Sequence, residues 1–254
     1  MTDSQHEPKS NETSSSAGSQ AGAAGSPWKR RGHQFWTEWV KPLLVIGLVM
    51  FSFRSAVADW NDVPTGSMKP TILEGDRIFI NKVAYDLKVP FTTIRIAQWE
   101  DPDWGDVVVL RSPEDGKRLV KRVVGLPGDT LELKGIYLFR NGERATYEKL
   151  DAETVNQIEE DQRSRYLFAA EAFDGKRHAI MNEIRGSVSP SGPFVVPEGH
   201  FFVMGDNRGN SRDSRYFLYV EREEILGRAT AVALSFDRED YWKPRWGRFF
   251  SKLE

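Results

Sequence analysis

One long apolar segment lies near the start of the chain. Residues 40–58 are mostly apolar, and the stretch 42–53 contains no charged side chain. A helix over 40–58 would rise about 28 Å, close to the thickness of the hydrocarbon core of a bilayer. Arg54 interrupts the pattern near the far end, where a long Arg side chain can reach the polar interface. The pattern predicts a transmembrane anchor at 40–58.

The flanks of this segment predict its orientation. Residues 1–27 are rich in Ser, Gly, Ala, Asn and Gln, a composition typical of a flexible tail. A basic cluster at 29–31 and Lys41 precede the apolar stretch, whereas Asp59 and Asp62 follow it. Because Lys and Arg concentrate on the cytoplasmic side of a span, we expect residues 1–39 to be a cytoplasmic tail. The bulk of the chain would then lie on the opposite side of the membrane.

Two alternatives to a retained anchor are open at this point. The segment could be the core helix of a soluble protein, although the basic flank and the polar tail fit that interpretation poorly. It could also be a cleavable signal peptide, because Ala56-Val57-Ala58 has the A-x-A form of a cleavage site. Against cleavage, the leading region is unusually long and Arg54 lies just before the site. We expect the anchor to be retained.

Beyond the anchor, short β-branched runs punctuated by Gly, Pro and Asp are typical of a mainly β domain. Residues 151–172 are more polar and more helical in pattern, and with the loop to Pro197 they resemble an insertion. We therefore predict a mainly β domain formed by 59–140 and 198–254, with a smaller α+β insertion at 141–197. The predicted strands are 77–82, 106–110, 119–124, 130–133, 136–139, 201–204 and 225–236.

Composition excludes several classes of function. The apolar fraction of 39% is enough to bury a core, so a wholly disordered chain is excluded. The 35 basic and 37 acidic side chains give a net charge of −2, so no basic excess indicates nucleic-acid binding. The absence of cysteine excludes disulfides, thiolate zinc sites and a Cys nucleophile. We expect no metal and no cofactor.

The histidines offer little support for His-based catalysis. None of the four forms an H-E-x-x-H motif. A Ser-His-Asp triad in the β domain could use only His178 or His200, and neither has a recognisable context. We interpret both as surface or structural residues.

Two residues are candidates for a nucleophile and its base. Ser67 lies in a turn between Gly and Pro residues, which can expose a hydroxyl and align backbone N–H groups toward one point. Alternation along a strand puts Lys121 on one face with Leu119 and Val123, while Arg122 points the other way. Burial among apolar neighbours would lower the Lys121 pKa and allow a neutral amine to act as general base. Taken singly, each residue also has an ordinary interpretation: Ser67 as a turn serine, and Lys121 as a lysine whose side chain reaches solvent.

The third candidate segment is the loop 205–215, which follows an apolar strand. It is dense in Asp, Asn, Arg and Ser side chains that hydrogen-bond backbone and form ion pairs. An EF-hand is excluded, because Arg208 occupies a ligand position and the terminal Glu is missing. A solvated turn is the alternative to a rigid scaffold for a site.

These segments together resemble the type I signal peptidases, which are membrane-bound Ser/Lys endopeptidases. The family's P-S-G-S-M-x-P-T is similar to 64–71, with Thr65 for the first Ser. Its G-D-[VI]-V resembles 105–108, its K-R-[AV]-V-G-[LM]-P-G-D resembles 121–129, and its G-D-N-R-x-N-S-x-D-S-R resembles 205–215. Four ordered motifs behind an apolar anchor are highly specific, and the resemblance spans about 40–236. It implies a mainly β catalytic domain with a smaller, variable insertion.

The resemblance implies a role for each matched position. Ser67 would attack the scissile carbonyl, and neutral Lys121 would take its proton and later donate it to the leaving amine. The Ser67 N–H and the Thr65 hydroxyl would form the oxyanion hole, and Ser211 would hydrogen-bond and orient the lysine. Gly209 stands where Asp is frequent, so one supporting contact is expected to be missing. The residues expected to support the site by ion pairs are Arg122, Asp206, Asp213 and Arg215.

The family's shallow subsites bind Ala at the −1 and −3 positions of an extended substrate. Strand walls would pair with that substrate by β-augmentation, and two apolar side chains would line the subsites. The walls match Asn61, Asp62, Val63, Pro64, Leu119 and Val120, and the lining residues match Met68 and Ile72. Phe91, Trp99 and Trp104 are aromatics that either enter the lipid interface or pack in the core.

The implied function is removal of signal peptides from exported preproteins after A-x-A sites. The implied location is the bacterial inner membrane, single-pass, with the catalytic domain on the periplasmic side. The implied partners are preprotein signal peptides, the lipid bilayer and a neighbouring secretion translocon, with no nucleic acid. Two alternatives are a self-cleaving Ser/Lys repressor, which would need an N-terminal DNA-binding domain, and a non-enzymatic membrane-anchored binding protein.

Overall fold

The computed structural model describes residues 35–92, 94–185 and 192–253. Contacts divide the chain into two units, 1–48 and 49–254. A π-helical turn, Trp36–Val40, leads into helix α1, Lys41–Ala56. In these described ranges Trp36–Ala56 is the one helix long and apolar enough to cross a membrane. The helix begins before the predicted residue 40 and ends before residue 58, because Ala58 already belongs to the first strand.

The second unit is built on one antiparallel sheet. Its strand order is β1-β2-β16-β5-β6-β14-β15, with the short β17 paired to β16. The strands are β1 (Ala58–Asp62), β2 (Asp76–Asn81), β5 (Val107–Arg111), β6 (Arg118–Gly125), β14 (His200–Met204), β15 (Val220–Glu221), β16 (Ile225–Asp237) and β17 (Lys243–Pro244). The mainly β architecture predicted from the sequence is confirmed.

Smaller sheets and short helices complete this unit. β3 (Asp86–Lys88) and β4 (Arg95–Gln98) form a hairpin. A second sheet has the order β13-β7-β8-β9, and a third has the order β10-β11-β12. Their strands are β7 (Thr130–Lys134), β8 (Tyr137–Arg140), β9 (Glu143–Arg144), β10 (Thr146–Lys149), β11 (Tyr166–Phe173), β12 (Lys176–Glu183) and β13 (Phe194–Val195). The helices are α2 (Ala152–Asn156), α3 (Glu160–Arg163) and α4 (Ser214–Phe217), with 3-10 turns at Gly66–Met68, Arg222–Glu224 and Trp246–Arg248.

The region predicted as an insertion is more β-rich than its sequence pattern indicated. The expected helical character of 151–172 holds only for α2 and α3, since β11 begins at Tyr166. Tyr166, Leu167 and Phe168 favour a strand, and Asp174-Gly175, both at positive φ, close a hairpin with β12. The ends of 141–197 also differ from the prediction, because β9 and β13 pair with β8 and β7.

The core follows the predicted alternation along β6. Leu119 and Val123 pack in one apolar cluster with Val108, the cross-strand partner of Lys121. Val120, on the opposite face, packs with a separate cluster that contains Val63, Met68 and Ile72. The serine turn is therefore anchored in one cluster, while the face of β6 that carries Lys121 belongs to the other.

Candidate active site

Ser67 lies in the short 3-10 turn Gly66–Met68, which follows directly on an extended Thr65. The Lys69 N–H closes the turn by donating to the Gly66 carbonyl at 3.2 Å. Amides in the first turn of a helix have no partner inside that helix, so the Ser67 N–H is suited to a developing negative charge. Thr65 is exposed, and its side chain caps no amide of the turn. The predicted oxyanion donors therefore belong to one short turn, with Thr65 exposed and Ser67 half-buried.

Lys121 is brought directly to Ser67. Its Nζ lies 2.8 Å from Ser67 Oγ, in hydrogen-bond contact, although the two residues are 54 positions apart. Lys121 is only 3% exposed. Burial lowers its pKa to about 8, with the nearby Arg215 acting in the same direction and Asp213 and Asp206 opposing. The cation that assists is thus Arg215, whereas Arg122 is turned toward Asp206.

The loop 205–215 binds the backbone carbonyl groups of the serine turn. The Asn207 N–H donates to the Ser67 carbonyl at 3.0 Å, and its side-chain Nδ2 donates to the Gly66 carbonyl at 3.1 Å. Gly205 is needed for this approach, since a Cβ there would come within 2.4 Å of the Ser67 carbonyl oxygen. Sequence reasoning did not assign a role to Asn207; its position inside the G-D-N-R motif was the available signal.

Arg122 and Asp206 form a buried pair beneath the site. Arg122 Nε and Nη2 donate to the two Asp206 carboxylate oxygens at 2.9 and 2.8 Å, and both residues are 1% exposed. The Thr71 hydroxyl also donates to Asp206, at 2.5 Å. Burial alone would raise the Asp206 pKa, but Arg122 and the hydrogen bonds hold it below its usual value. The pair joins β6 to the loop, and Thr71 is a further member that the sequence did not single out.

Asp213 and Arg215 form the second predicted pair. Arg215 Nε and Nη2 donate to Asp213 at 2.8 and 2.9 Å, and Asp213 also accepts the Gly205 N–H at 2.9 Å. Burial would raise the Asp213 pKa, yet the bond to Arg215 keeps it lowered. Arg215 Nη1 donates to the Arg208 carbonyl at 2.8 Å. The pair therefore braces the loop that supports Ser67.

Ser211 does not make the hydrogen bond expected from the resemblance. Its Oγ is buried and has no partner of hydrogen-bonding geometry in the described part of the chain. It lies against Gly205, where a Cβ would approach within 2.3 Å, and near enough to Asp213 to help lower that pKa. Among the described residues, the side-chain hydrogen bond of the Lys121 amine is with Ser67, so the serine orients the lysine without Ser211.

The missing Asp at position 209 has a steric explanation. A Cβ on Gly209 would lie 2.9 Å from both the backbone N and the Cβ of Glu183 in β12. Met181 N–H donates to the Asp206 carbonyl at 2.9 Å and Arg208 N–H to the Met181 carbonyl at 2.8 Å. Strand β12 therefore packs on the loop where a side chain would otherwise stand.

A buried polar cluster, also missed by sequence reasoning, secures the same loop. Arg208 donates to both carboxylate oxygens of Glu171, at 3.0 and 2.5 Å, and the Tyr147 hydroxyl donates to Glu171 at 2.6 Å. His178 is buried beside Glu171, and its ring packs at a tilt against Trp104, with ring centroids 5.2 Å apart. Burial lowers the His178 pKa. His178 is thus a buried residue of this cluster, and Trp104 packs in the interior, whereas Phe91 and Trp99 are exposed.

The predicted substrate walls lie on strand edges. β1 is the end strand of the main sheet, so within the described ranges Asn61 and Asp62 have a neighbouring strand only on the β2 side. β14 pairs with β6 only between Arg122 and Gly125, which leaves Leu119 and Val120 without a strand on that side among the described residues. Val63, Met68 and Ile72 are buried core side chains and Pro64 is exposed. Met68 and Ile72 therefore support the turn from below, whereas the strand edges are accessible.

Comparison of the sequence with known proteins identifies the family of this chain. A sequence profile of the family described as signal peptidase, peptidase S26, matches residues 36–234. The signal peptidase I of Pseudomonas fluorescens is 39% identical over 212 residues, covering 77% of this chain and 70% of that protein. That of Pseudomonas aeruginosa is 38% identical, with the same coverage, and signal peptidase I P of Bacillus subtilis subsp. natto is 33% identical over 79% of this chain and 90% of its own. A signal peptidase I crystal structure from Enterococcus faecalis, 30% identical, covers 52% of this chain and 98% of its own at a TM-score of 0.33.

The chain therefore belongs to the signal peptidase family, peptidase S26, and is a serine endopeptidase of the signal peptidase I type.

The buried pair beneath the site gives a stability prediction. Asp206→Asn removes the charge that compensates Arg122, and breaking a buried pair typically costs about 3–5 kcal/mol. We expect a loss of that size in the free energy of unfolding of the detergent-solubilised protein, measured by denaturant titration. The control is Asp161→Asn, which removes an exposed i,i+4 partner of Arg165 and should cost no more than about 1 kcal/mol. Equal losses in the two variants would contradict a structural role for the Arg122–Asp206 pair.

Proposed function

We propose that this chain removes N-terminal signal peptides from exported preproteins by a Ser67/Lys121 dyad. The observation that supports this proposal most directly is the 2.8 Å contact between Ser67 Oγ and the Nζ of the buried Lys121. The burial that lowers the lysine pKa provides the neutral amine that a general base requires. Membership of the signal peptidase family supports the same reaction.

The proposed reaction proceeds through an acyl-enzyme. Lys121 takes the Ser67 hydroxyl proton as Oγ bonds to the scissile carbonyl carbon, and the oxyanion receives hydrogen bonds from the Ser67 N–H and the Thr65 hydroxyl. The Lys121 ammonium then returns its proton to the leaving nitrogen as the C–N bond breaks, which leaves an ester on Ser67. Lys121 next deprotonates a water that attacks this ester. As the second intermediate collapses, the bond from Ser67 Oγ to the carbonyl carbon breaks and the Lys121 ammonium returns its proton to Oγ, which releases the new carboxyl end of the signal peptide and restores both residues.

We propose that the substrate binds as an added strand. The strand edges at Asn61–Asp62 and at Leu119–Val120 would offer backbone groups to the two sides of an extended peptide. Small side chains such as Ala at the −1 and −3 positions would let the peptide backbone approach the Ser67 turn. The other partners of this proposal are the lipid bilayer and a neighbouring secretion translocon, and nucleic acid has no part in it.

The proposed location is the bacterial inner membrane with the catalytic unit on the periplasmic side. Helix Trp36–Ala56 has the length and apolarity of a span, and the basic residues before it favour a cytoplasmic N-terminus. A fluorogenic peptide with an A-x-A site tests the proposed activity, using the full chain solubilised from membranes. Cleavage after the second Ala is expected, and a peptide with Lys at −1 should stay intact. Equal cleavage of both peptides would contradict the proposed specificity.

The anchor is expected to be retained because its A-x-A sequence is structurally protected. Ala58 pairs with Asn81 in the sheet, and the Val57 carbonyl accepts the Lys82 N–H at 2.9 Å. The Ala58–Asp59 bond thus lies in a paired strand, which an extended-substrate protease cannot engage without unpairing it. N-terminal sequencing of the protein from membranes should show a start before Asp59. A mature start at Asp59 would overturn the proposed topology.

A His-independent mechanism predicts that His200→Ala keeps near-full activity. His200 lies in β14, and its Nδ1 is 2.9 Å from the Glu198 carbonyl, a local contact outside the Ser67–Lys121 site. Peptide cleavage by this variant, with Ser67→Ala as the inactive control, is the measurement. A large loss of kcat in folded His200→Ala would revive a His-based mechanism.

A further inference from the structure

A second lysine lies two residues after the proposed nucleophile, and its side chain is buried. Lys69 is 4% exposed, which is rare for a lysine without an ionic partner. Its Nζ lies 3.1 and 3.2 Å from the two carboxylate oxygens of Glu159, 3.4 Å from Glu74 and 3.5 Å from the Gln162 side-chain oxygen. The Lys69 ammonium is therefore surrounded by acceptors from two parts of the chain.

Lys69 approaches the turn that carries Ser67 in two ways. Its N–H closes the turn by donating to the Gly66 carbonyl. Its aliphatic stem crosses the face of Gly66, where a Cβ would lie 3.3 Å from Lys69 Cδ and 3.4 Å from Cε. The Lys69 side chain therefore occupies the space over the residue directly before the nucleophile.

The principal partner of Lys69 comes from the region between β10 and β11. Glu159 directly precedes helix α3, and Gln162 lies within it. The adjacent Ile158 packs with Leu73, a residue that follows the serine motif, in a small apolar cluster completed by Met181. Ile158 and Glu159 are adjacent in the chain. The apolar cluster and the ion pair therefore both attach the segment before β11 to the residues that follow Ser67.

We propose that Lys69 is a positioning residue, through which the segment carrying Glu159 and α3 sets the Ser67 turn for attack. This inference rests on the proposed Ser67/Lys121 function and assigns a catalytic purpose to part of the inserted region. Lys69 does not exchange protons with the substrate. It holds Ser67 within the narrow range of geometry in which Oγ meets both Lys121 and the scissile carbonyl, where a displacement of 1 Å can cost about 10²-fold in rate.

The test compares Lys69→Met and Glu159→Gln with wild type in the A-x-A peptide assay on the full chain. Lys69→Met keeps an unbranched stem across Gly66 and removes the charge. We expect kcat to fall about tenfold or more in each variant, with KM within about twofold of wild type because the strand edges are untouched. The pH range over which kcat/KM rises should be the same as in wild type, because the deprotonation of Lys121 still sets it. The double variant should be no worse than the poorer single variant, since both break the same contact.

Asp161→Asn is the matched control, because Asp161 lies in the same helix but its carboxylate pairs with the exposed Arg165 instead of Lys69. Its kcat should equal that of wild type. If Lys69→Met fails to fold, Glu159→Gln decides, since Glu159 is partly exposed. Wild-type kcat in both folded variants, or losses that fall on KM, would overturn the inference. Absence of cleavage by wild type would instead refute the proposed function itself, so the two failures are distinguishable.

Discussion

Ser67→Ala and Lys121→Ala should each abolish cleavage of an A-x-A peptide while leaving the fold intact. Ser67→Ala removes the atom that forms the acyl bond. Lys121→Ala removes the group within 2.8 Å of that atom, and loss of a general base typically costs 10²–10⁴-fold in rate. Since a hydroxyl with no base is a poor nucleophile at neutral pH, we expect Lys121→Ala to lie at the upper end of this range.

The pairing of the two residues is tested by the double variant. If nucleophile and base act as one unit, their losses do not add, and Ser67→Ala/Lys121→Ala should be no slower than the poorer single variant. Single-turnover cleavage at high enzyme concentration provides the sensitivity, and thermal unfolding in the same detergent verifies the fold. A double variant markedly slower than either single would show that Lys121 contributes independently of Ser67.

The sequence predicted the centre of this site because its chemistry is local to short motifs. Alternation along β6 correctly placed Lys121 with Leu119 and Val123, as the shared cluster with Val108 shows. The turn at Ser67 followed from its Gly and Pro neighbours. These inferences succeed because strand period and turn chemistry are set by adjacent residues.

The support of the site could not be predicted, because it depends on contacts between distant segments. The hydrogen bonds from Asn207 to Ser67 and Gly66 join residues 140 and 141 positions apart. Packing of β12 on the loop explains Gly209, but β12 itself lies after residue 172, in the stretch to Pro197 that was predicted as a loop. The resemblance to the type I signal peptidases likewise predicted a hydrogen bond between Ser211 and Lys121, which this structure does not contain.

The second large effect concerns pH. A free lysine titrates near 10.4 and is almost wholly charged at pH 7, whereas burial lowers the Lys121 pKa to about 8. The neutral amine is the active form, so kcat/KM should rise with pH through a limb centred near 8 and level off above it. At pH 7 about a tenth of the enzyme would carry the neutral base. A rate that falls as pH rises from 6 to 9 would contradict this assignment.

Leu119→Asp should shift this limb to higher pH. Leu119 lies two residues before Lys121 on the same face of β6, and it is only partly buried, so a carboxylate can be tolerated there. A nearby negative charge favours the charged ammonium and can raise the limb by about one pH unit or more, with at least about a tenfold loss of rate at pH 7. Leu119→Asn is the matched control, since it has the same shape without the charge and should keep the wild-type limb. If the Asp and Asn profiles superimpose, either Lys121 does not set the pH dependence or the side chain at position 119 does not reach the Lys121 amine.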